Sequence, residues 1–309
     1  NSSVFPTEEL VGAVTNLPKN TALVNADGWI AVRVEKMEDE TVIDSLEKIQ
    51  FDGKCKRLEH LWNIFQFNPE EINSDFEIVT KGRRSQPLST TNRVLCPENV
   101  FVEEGAKVEF SIINASEGKV YIGKDAEIWE NAVIRAPFAM NEHAVVKMSA
   151  KIYEGTTIGP YSKVGGEVQN SVIIGYSNKG HDGYLGNSVL GEWCNLGADT
   201  NNSNLKNDYS EVKLWNYASH SFEKTGLQFC GLMMGDHSKS AINTMFNTGT
   251  VVGVSSNVFG GGFPRTFIPS FMRGGSQGME EYRLQKACET AERVMARRHK
   301  SFDEVEYAI

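Results

Sequence analysis

A histidine between two glycines is the first place in this sequence where chemistry is indicated. His181 lies in the segment Lys179-Gly-His-Asp-Gly-Tyr184, and flanking glycines let a backbone approach a ligand closely. An imidazole titrates near neutral pH, which suits a general base. A backbone N–H of the same loop could hold a developing oxyanion. The segment therefore predicts catalysis by His181, although an unreactive histidine in a flexible glycine-rich loop would look the same.

The other histidines and the cysteines indicate no metal site. His60, His143 and His299 are expected at the surface, His220 in a polar excursion, and His237 in a structural role. The five cysteines are widely spaced and form no Cys-x-x-Cys, so neither a disulfide framework nor a zinc ribbon is predicted. We expect a reduced, cytoplasmic protein without a bound metal.

An aliphatic residue recurs every sixth position in the middle of the chain. A smaller or β-branched residue follows four positions later in seven cases of eight. The aliphatic positions are Ile122, Ile128, Ile134, Met140, Val146, Ile152, Ile158 and Val164. The second set is Ala126, Ala132, Phe138, Ala144, Ala150, Thr156, Ser162 and Val168. A helix requires spacings of three, four and seven, so this period favours a repeat of short strands.

These hexads predict a solenoid in which three six-residue sides close one coil. The fold class is mainly β, with a partial α+β N-terminal domain and a C-terminal α-helix. Of the 28 glycines, 21 fall in residues 105–262, and we expect them at corners that need positive φ. The polar stretch Asn201–Leu227 loses the period and predicts a protruding loop or hairpin.

We predict three segments: 1–90, 91–262 and 263–309. In the first, Asp27-Gly28 precedes a strand at Trp29–Val34, Leu58–Phe67 forms a short helix, and Asn68 caps a further helix that begins at Pro69. The last segment contains a helix over Met279–Lys300. Its packing face is Leu284, Ala287, Cys288, Ala291, Val294 and Met295. Residue 1 is Asn, so we expect the natural protein to begin upstream.

The hexads resemble the left-handed parallel β-helix of hexapeptide-repeat acyltransferases. A closer resemblance covers residues 120–262 and rests on Lys179-Gly-His181-Asp-Gly-Tyr184-Leu-Gly, Asn195-Leu-Gly-Ala198-Asp-Thr200 and Asn204. These motifs are similar to the acetyltransferase domain of bifunctional UDP-N-acetylglucosamine pyrophosphorylase/glucosamine-1-phosphate N-acetyltransferases. Gly235-Asp-His237-Ser-Lys239 resembles a stretch of the archaeal-like members. Residues 1–90 look like the last part of a nucleotidyltransferase domain whose glycine-rich nucleotide-binding opening is missing.

The resemblance implies a role for each matching residue. His181 would be the general base, and Tyr184 and Asn195 would hold the sugar phosphate and its hydroxyls. Ala198 and Asn204 would line the acetyl-CoA site, beside Asp199, which replaces a family glycine. The phosphate requires cations, for which the candidates are Lys147, Lys179 and Arg135. Lys179 could instead tune the imidazole, Asn195 could belong to an asparagine ladder, and the other two cations could be solvated exterior charges.

The predicted function is transfer of acetyl from acetyl-CoA to the amine of glucosamine 1-phosphate or a related amino-sugar phosphate. The resemblance also implies a homotrimer, and Mg²⁺ only where a complete nucleotidyltransferase domain is present. The net charge of −9 argues against nucleic-acid binding, and no apolar run is long enough for a membrane helix.

Four alternatives remain open from the sequence. The chain could belong to a sugar-1-phosphate nucleotidyltransferase whose β-helix is only a scaffold, or it could be a non-catalytic trimerisation module. It could acylate a different amine, such as serine or an amino-sugar nucleotide. A γ-class carbonic anhydrase is disfavoured, because it would require two zinc-binding histidines five positions apart.

Overall fold

The computed structural model describes residues 3–36 and 40–308. It divides into two compact units, residues 1–63 and 64–309. The first unit contains α1 (Glu8–Thr15), β1 (Thr21–Asn25), β2 (Gly28–Arg33), a 3₁₀ helix (Glu40–Ser45) and β3 (Glu47–Gln50). The strands form one sheet in the order β2-β1-β3. β1 and β2 are antiparallel across the Asp27–Gly28 turn, which confirms the predicted strand.

The second unit is dominated by a parallel β-helix with three walls, as the hexads predict. Each coil contributes one strand to each wall, and successive coils pair in parallel. Wall 1 contains Arg93–Leu95, Ile112–Asn114, Val133–Arg135, Lys151–Ile152, Glu167–Gln169 and Tyr184–Gly186, then the pair Asn201–Asn202 and Met245–Phe246. Wall 2 contains Val100–Val102, Val120–Ile122, Phe138–Met140, Thr156–Ile158, Val172–Gly175, Val189–Glu192, Met233–Met234, Val251–Val252 and Phe267–Ile268. Wall 3 contains Lys107–Val108, Glu127–Ile128, Val145–Val146, Lys163–Val164, Asn178–Lys179, Asn195–Leu196, Lys239–Ser240, Asn257–Val258 and Met272–Gly275, to which Gly278–Glu281 adds an antiparallel strand.

The interior of the β-helix consists of the two predicted hexad sets. All sixteen side chains are at most 2% exposed, and their columns follow the strand register, as in Ile122, Met140 and Ile158. The spacing of 18 residues within that column confirms three six-residue sides per coil. Each buried aliphatic side chain contributes about 1.5–3 kcal/mol by leaving water, so stacking of coils stabilises the fold.

The glycines after aliphatic positions do not act as the sequence predicted. A Cβ at Gly123 would lie 2.6 Å from the carbonyl carbon of Asn141, and one at Gly159 would overlap the backbone of Ile174. Neither has a positive φ, whereas the corner residues Asp125, Asn131 and His143 do. The corner prediction is therefore wrong for these two glycines, which instead allow neighbouring coils to approach closely.

Residues 63–80 form a single helix, α2 (Asn63–Thr80), with Pro69 in its interior. The predicted break at Asn68 is therefore wrong. The Asn68 amide donates to the carbonyl of Gly155 at 2.7 Å and its oxygen accepts from Thr157 Oγ1 at 2.8 Å. These contacts place α2 in the second compact unit, while the three predicted segments remain a prediction.

The C-terminal part departs from the hexads in two places. The predicted excursion contains an antiparallel hairpin of Lys213–Asn216 and Ser221–Lys224. Helix α3 (Leu284–Ala296) is shorter than expected, because Gly278–Glu281 is a strand, and α4 (Glu304–Ala308) follows. Ala287, Cys288, Ala291 and Met295 are buried, whereas Leu284 is exposed. No helix within 3–36 and 40–308 has the length and apolarity needed to cross a membrane.

Candidate active site

His181 lies on a loop at the corner where wall 3 passes into wall 1. The loop comprises Gly180–Gly183 and joins strands Asn178–Lys179 and Tyr184–Gly186. Its carbonyls are held by both neighbouring coils: Glu167 N–H donates to Gly183 at 3.2 Å, and Asp199 N–H donates to Asp182 at 3.1 Å. The His181 side chain is exposed, so a backbone fixed on two sides presents the imidazole to solvent.

Two glycines of the preceding coil make room for this loop. A Cβ at Gly166, whose φ is +71°, would lie 2.8 Å from the Gly183 carbonyl oxygen and 2.9 Å from that of His181. A Cβ at Gly165 would lie 3.0 Å from the Gly180 oxygen. Real Cβ atoms essentially never come closer than 3.0 Å, so the loop position requires glycine at 166, while a Cβ at 165 would press its neighbours by a few tenths of an ångström.

Tyr184 and Asn204 are brought together on the outer face of wall 1. The Tyr184 hydroxyl donates to Gln169 Oε1 at 2.8 Å and accepts from Asn204 Nδ2 at 2.9 Å. Asn204 Nδ2 also donates to Asn187 Oδ1 at 2.7 Å. Burial, with a smaller contribution from the Glu167 carboxylate, raises the pKa of Tyr184 to about 12. A neutral phenol within an amide network can bind hydroxyl or phosphate oxygens.

Gln169 and Asn187 were missed by sequence reasoning. Gln169 lies opposite Gly186 in the strand register, and the Tyr184 side chain folds over Gly186, where a Cβ would overlap its hydroxyl. The six-residue period was disturbed after Val164, so the register of Gln169 could not be read from it. The available signal for Gln169 was its polar side chain one coil before Tyr184.

Lys179 does not face a substrate on the outer surface. Its side chain is only 3% exposed, because its position pairs with Val164 in the inward column of wall 3. The ammonium donates to the His181 carbonyl oxygen at 2.5 Å. Burial lowers the pKa of Lys179 to about 8, opposed by the Asp182 and Asp199 carboxylates. The sequence predicted Lys179 as a phosphate contact or a group that tunes His181; its contact in the structure is with the His181 backbone carbonyl.

The other two candidate cations are further along the β-helix: Lys147 lies two coils before the loop, and the Arg135 strand lies three coils before Tyr184–Gly186. The Lys147 ammonium lies over the Trp129 ring, 4.2 Å from its centroid. Arg135 is on wall 1, half-exposed, with Nε 3.7 Å from Glu154 Oε2. Lys151, which precedes Glu167 on the same wall, is a further exposed cation. Substrate contacts by Lys147 and Arg135 therefore stay predictions.

Asn195 and Ala198 occupy different surroundings. Asn195 is exposed on wall 3 between Asn178 and Lys239, so it lies on a different wall from Tyr184. Ala198 is half-buried at the corner one coil beyond the His181 loop. Asp199 has a φ of +56°, a conformation that glycine, Asn and Asp tolerate best, which explains how Asp replaces a family glycine there.

Among the residues that the structure describes, the titratable side chains form no metal centre. Across 3–36 and 40–308, no group of three His, Cys, Asp or Glu side chains could hold a metal ion. The candidate site thus consists of the exposed His181 side chain and the Tyr184–Gln169–Asn204 network, with the exposed cations two or three coils away.

The fold and this corner are those of a hexapeptide-repeat parallel β-helix. Residues 1–84 match the family model described as sugar nucleotidyl transferase. A Sulfurisphaera tokodaii protein named bifunctional sugar-1-phosphate nucleotidylyltransferase/acetyltransferase is 26% identical over 69% of this chain and 47% of its own length. The bifunctional protein GlmU of Methanocaldococcus jannaschii is 34% identical over 36% of this chain and 25% of its own length. These matches confirm the resemblance drawn from the sequence.

The chain spans about half the length of the Sulfurisphaera tokodaii relative and a quarter of the length of the Methanocaldococcus jannaschii relative. Among solved structures, the polysialic-acid-specific acetyltransferase NeuO is 14% identical and aligns over 68% of this chain and 94% of its own, with a TM-score of 0.34.

Proposed function

We propose that this chain transfers acetyl from acetyl-CoA to the amine of glucosamine 1-phosphate or a related amino-sugar phosphate. The observation that carries the proposal is the exposed His181 side chain, three residues before Tyr184, whose hydroxyl joins Gln169 and Asn204 in one hydrogen-bond network. The network would bind sugar or phosphate oxygens, and the imidazole would lie where an amine approaches. The name of the Sulfurisphaera tokodaii relative, which includes acetyltransferase, supports the same reaction class.

In the proposed reaction His181 acts as a general base. The amine nitrogen attacks the thioester carbonyl carbon, the imidazole takes the amine proton, and the carbonyl oxygen gains negative charge. Collapse of the tetrahedral intermediate breaks the C–S bond and releases the CoA thiolate, which takes the proton from the imidazole and leaves as the free thiol. A positioned base typically contributes about 10²–10⁴-fold to such a step.

We also propose that the active form is a homotrimer. Phe110, Ile112 and Val133 are exposed by 40–58%, and Ile112 and Val133 are neighbours on the outer face of wall 1. Exposed apolar side chains that share one surface favour burial against another chain. Light scattering should give three times the mass of one chain, and a monomer would contradict the proposal.

A second candidate function is supported by the match of residues 1–84. A complete protein with this N-terminal segment could transfer a nucleotidyl group to a sugar 1-phosphate, with Mg²⁺ bound in that domain and the β-helix as a scaffold. Formation of pyrophosphate from UTP and N-acetylglucosamine 1-phosphate would indicate this activity. We expect none from this chain.

The proposal is tested by offering several amines with acetyl-CoA. Free thiol should appear with glucosamine 1-phosphate and far less with glucosamine or serine, because the latter two have no phosphate. Equal rates with serine would favour a different acceptor class. Absence of thiol with all three would contradict acetyl transfer.

A further inference from the structure

One charged side chain enters the candidate site from inside the β-helix. The inward column of wall 3 contains Val108, Ile128, Val146, Val164, Lys179, Leu196, Ser240 and Val258. Lys179 follows Val164, which is fully buried, and precedes Leu196, which is 3% exposed. An aliphatic residue at this position would satisfy the repeat, and burying an ammonium is costly. Its place here therefore requires a reason other than packing.

The ammonium reaches the loop that holds His181. Lys179 Nζ donates to the His181 carbonyl oxygen at 2.5 Å. Backbone N–H groups of Glu167 and Asp199 hold the carbonyls of Gly183 and Asp182, while the His181 carbonyl is held by this side chain. A bond from a charged donor is about twice as strong as a neutral one.

Beyond these backbone and side-chain hydrogen bonds, the loop sequence adds little stiffness of its own. Gly180 and Gly183 carry no side chains, and Gly183 has a φ of +114°, so the backbone at this point is intrinsically permissive. The Asp182 and Asp199 carboxylates attract the Lys179 ammonium from the same corner. Fixing one carbonyl next to the His181 Cα restricts where the imidazole can point.

We propose that Lys179 is a positioning residue for His181, fixing the imidazole-bearing loop through the His181 carbonyl from the interior of the β-helix. This role rests on the proposed acetyl transfer, in which His181 is the base. In this role Lys179 acts through the backbone of the base and not by contact with the reacting atoms.

The decisive variant is Lys179→Met, which keeps the length of the side chain and removes its charge. The amides of Glu167 and Asp199 report on the loop, because each donates to a loop carbonyl. Hydrogen exchange at these two amides should become at least tenfold faster in Lys179→Met. Exchange at Val145, whose N–H donates to Ser162 in another part of the solenoid, should not change.

Lys239→Met is the matched control. Lys239 also lies on wall 3 with a pKa lowered mainly by burial, and its ammonium donates to a histidine carbonyl, that of His237, at 2.8 Å. This variant should leave the Glu167 and Asp199 amides as protected as in wild type. Equal protection of both amides in Lys179→Met and wild type would overturn the proposal.

Activity gives a second readout that a general structural role would not produce. In Lys179→Met, kcat should fall at least tenfold, while the KM for acetyl-CoA should change less than threefold. Wild-type kcat should fall as the pH rises through the Lys179 pKa of about 8, and this fall should be absent from the variant. An unchanged kcat would contradict positioning. If wild type transfers no acetyl group, the proposed function fails, while the exchange measurement still decides the role of Lys179.

Should Lys179→Met not fold, the wild-type protein decides alone. Protection of the Glu167 and Asp199 amides, corrected for intrinsic exchange, should fall at least tenfold between pH 7 and 9.5, and that of Val145 should not. Constant protection at both loop-reporting amides would overturn the proposal.

Discussion

The buried Lys179 charge should make this protein more stable as the pH rises. An ion-paired lysine would have the opposite effect, because it loses its stabilising charge as the pH rises. Burial lowers the pKa of Lys179 from 10.5 to about 8. Between these values an unfolded chain keeps the proton that the folded chain has lost. Stability rises with pH wherever the unfolded state binds more protons. The free energy of unfolding should therefore increase from about pH 8 to about pH 10.5.

The size of the effect follows from the two pKa values. A lowering from 10.5 to about 8 corresponds to about 3 kcal/mol of destabilisation below pH 8. Removing the charge should recover much of that, so Lys179→Met should be more stable than wild type at pH 7. The difference between the two proteins should shrink as the pH approaches 10.5.

The assay is denaturant unfolding of wild type and Lys179→Met at equal chain concentration, at pH 7 and at pH 10. Comparison of the two proteins cancels the titration of every other group. A difference that is the same at both pH values, or a Lys179→Met variant less stable than wild type at pH 7, would refute the assignment of a buried charge.

Three further predictions concern the loop, the network and the core. Gly166→Ala should reduce acetyl transfer at least tenfold in the thiol assay, because its Cβ would meet the Gly183 and His181 carbonyls. The control Gly180→Ala should keep its activity, because no atom lies within 4 Å of the added Cβ. Equal activities of the two variants would contradict this prediction. Tyr184→Phe removes two hydrogen bonds, about 1–3 kcal/mol in total, so the KM for the amino-sugar phosphate should rise about tenfold, whereas an unchanged KM would remove Tyr184 from the site. Ile134→Ala, at a fully buried position, should lower the unfolding free energy by about 2–5 kcal/mol, and a loss under 1 kcal/mol would contradict the interior column.

The architecture was predictable because one physical rule repeats along the chain. A side chain that points inward must be aliphatic or small, and strict six-residue spacing exposes that rule in the sequence. The helix start predicted at Pro69 is wrong because proline acts locally, whereas the Asn68 contacts with Gly155 and Thr157 that anchor α2 are distant in sequence. The corner roles predicted for Gly123 and Gly159 are wrong because contact between coils is also a non-local property.

The candidate site was only partly predictable. The Lys179–Tyr184 motif identified the loop, since its glycines and histidine are contiguous. The inward direction of Lys179 was hidden, because the period is interrupted after Val164 and the register of the following coil had to be taken from strand pairing. Gln169 joins Tyr184 through the same pairing, which no local pattern reveals.

The central claim is that His181 removes the amine proton during acetyl transfer. Its most direct test is thiol release from acetyl-CoA and glucosamine 1-phosphate by wild type, His181→Ala and the control His220→Ala, whose residue borders the Ser221–Lys224 strand of the hairpin. We predict release by wild type and the control, and a rate about 10²–10⁴-fold lower in His181→Ala. A His181→Ala variant as fast as wild type would contradict the account.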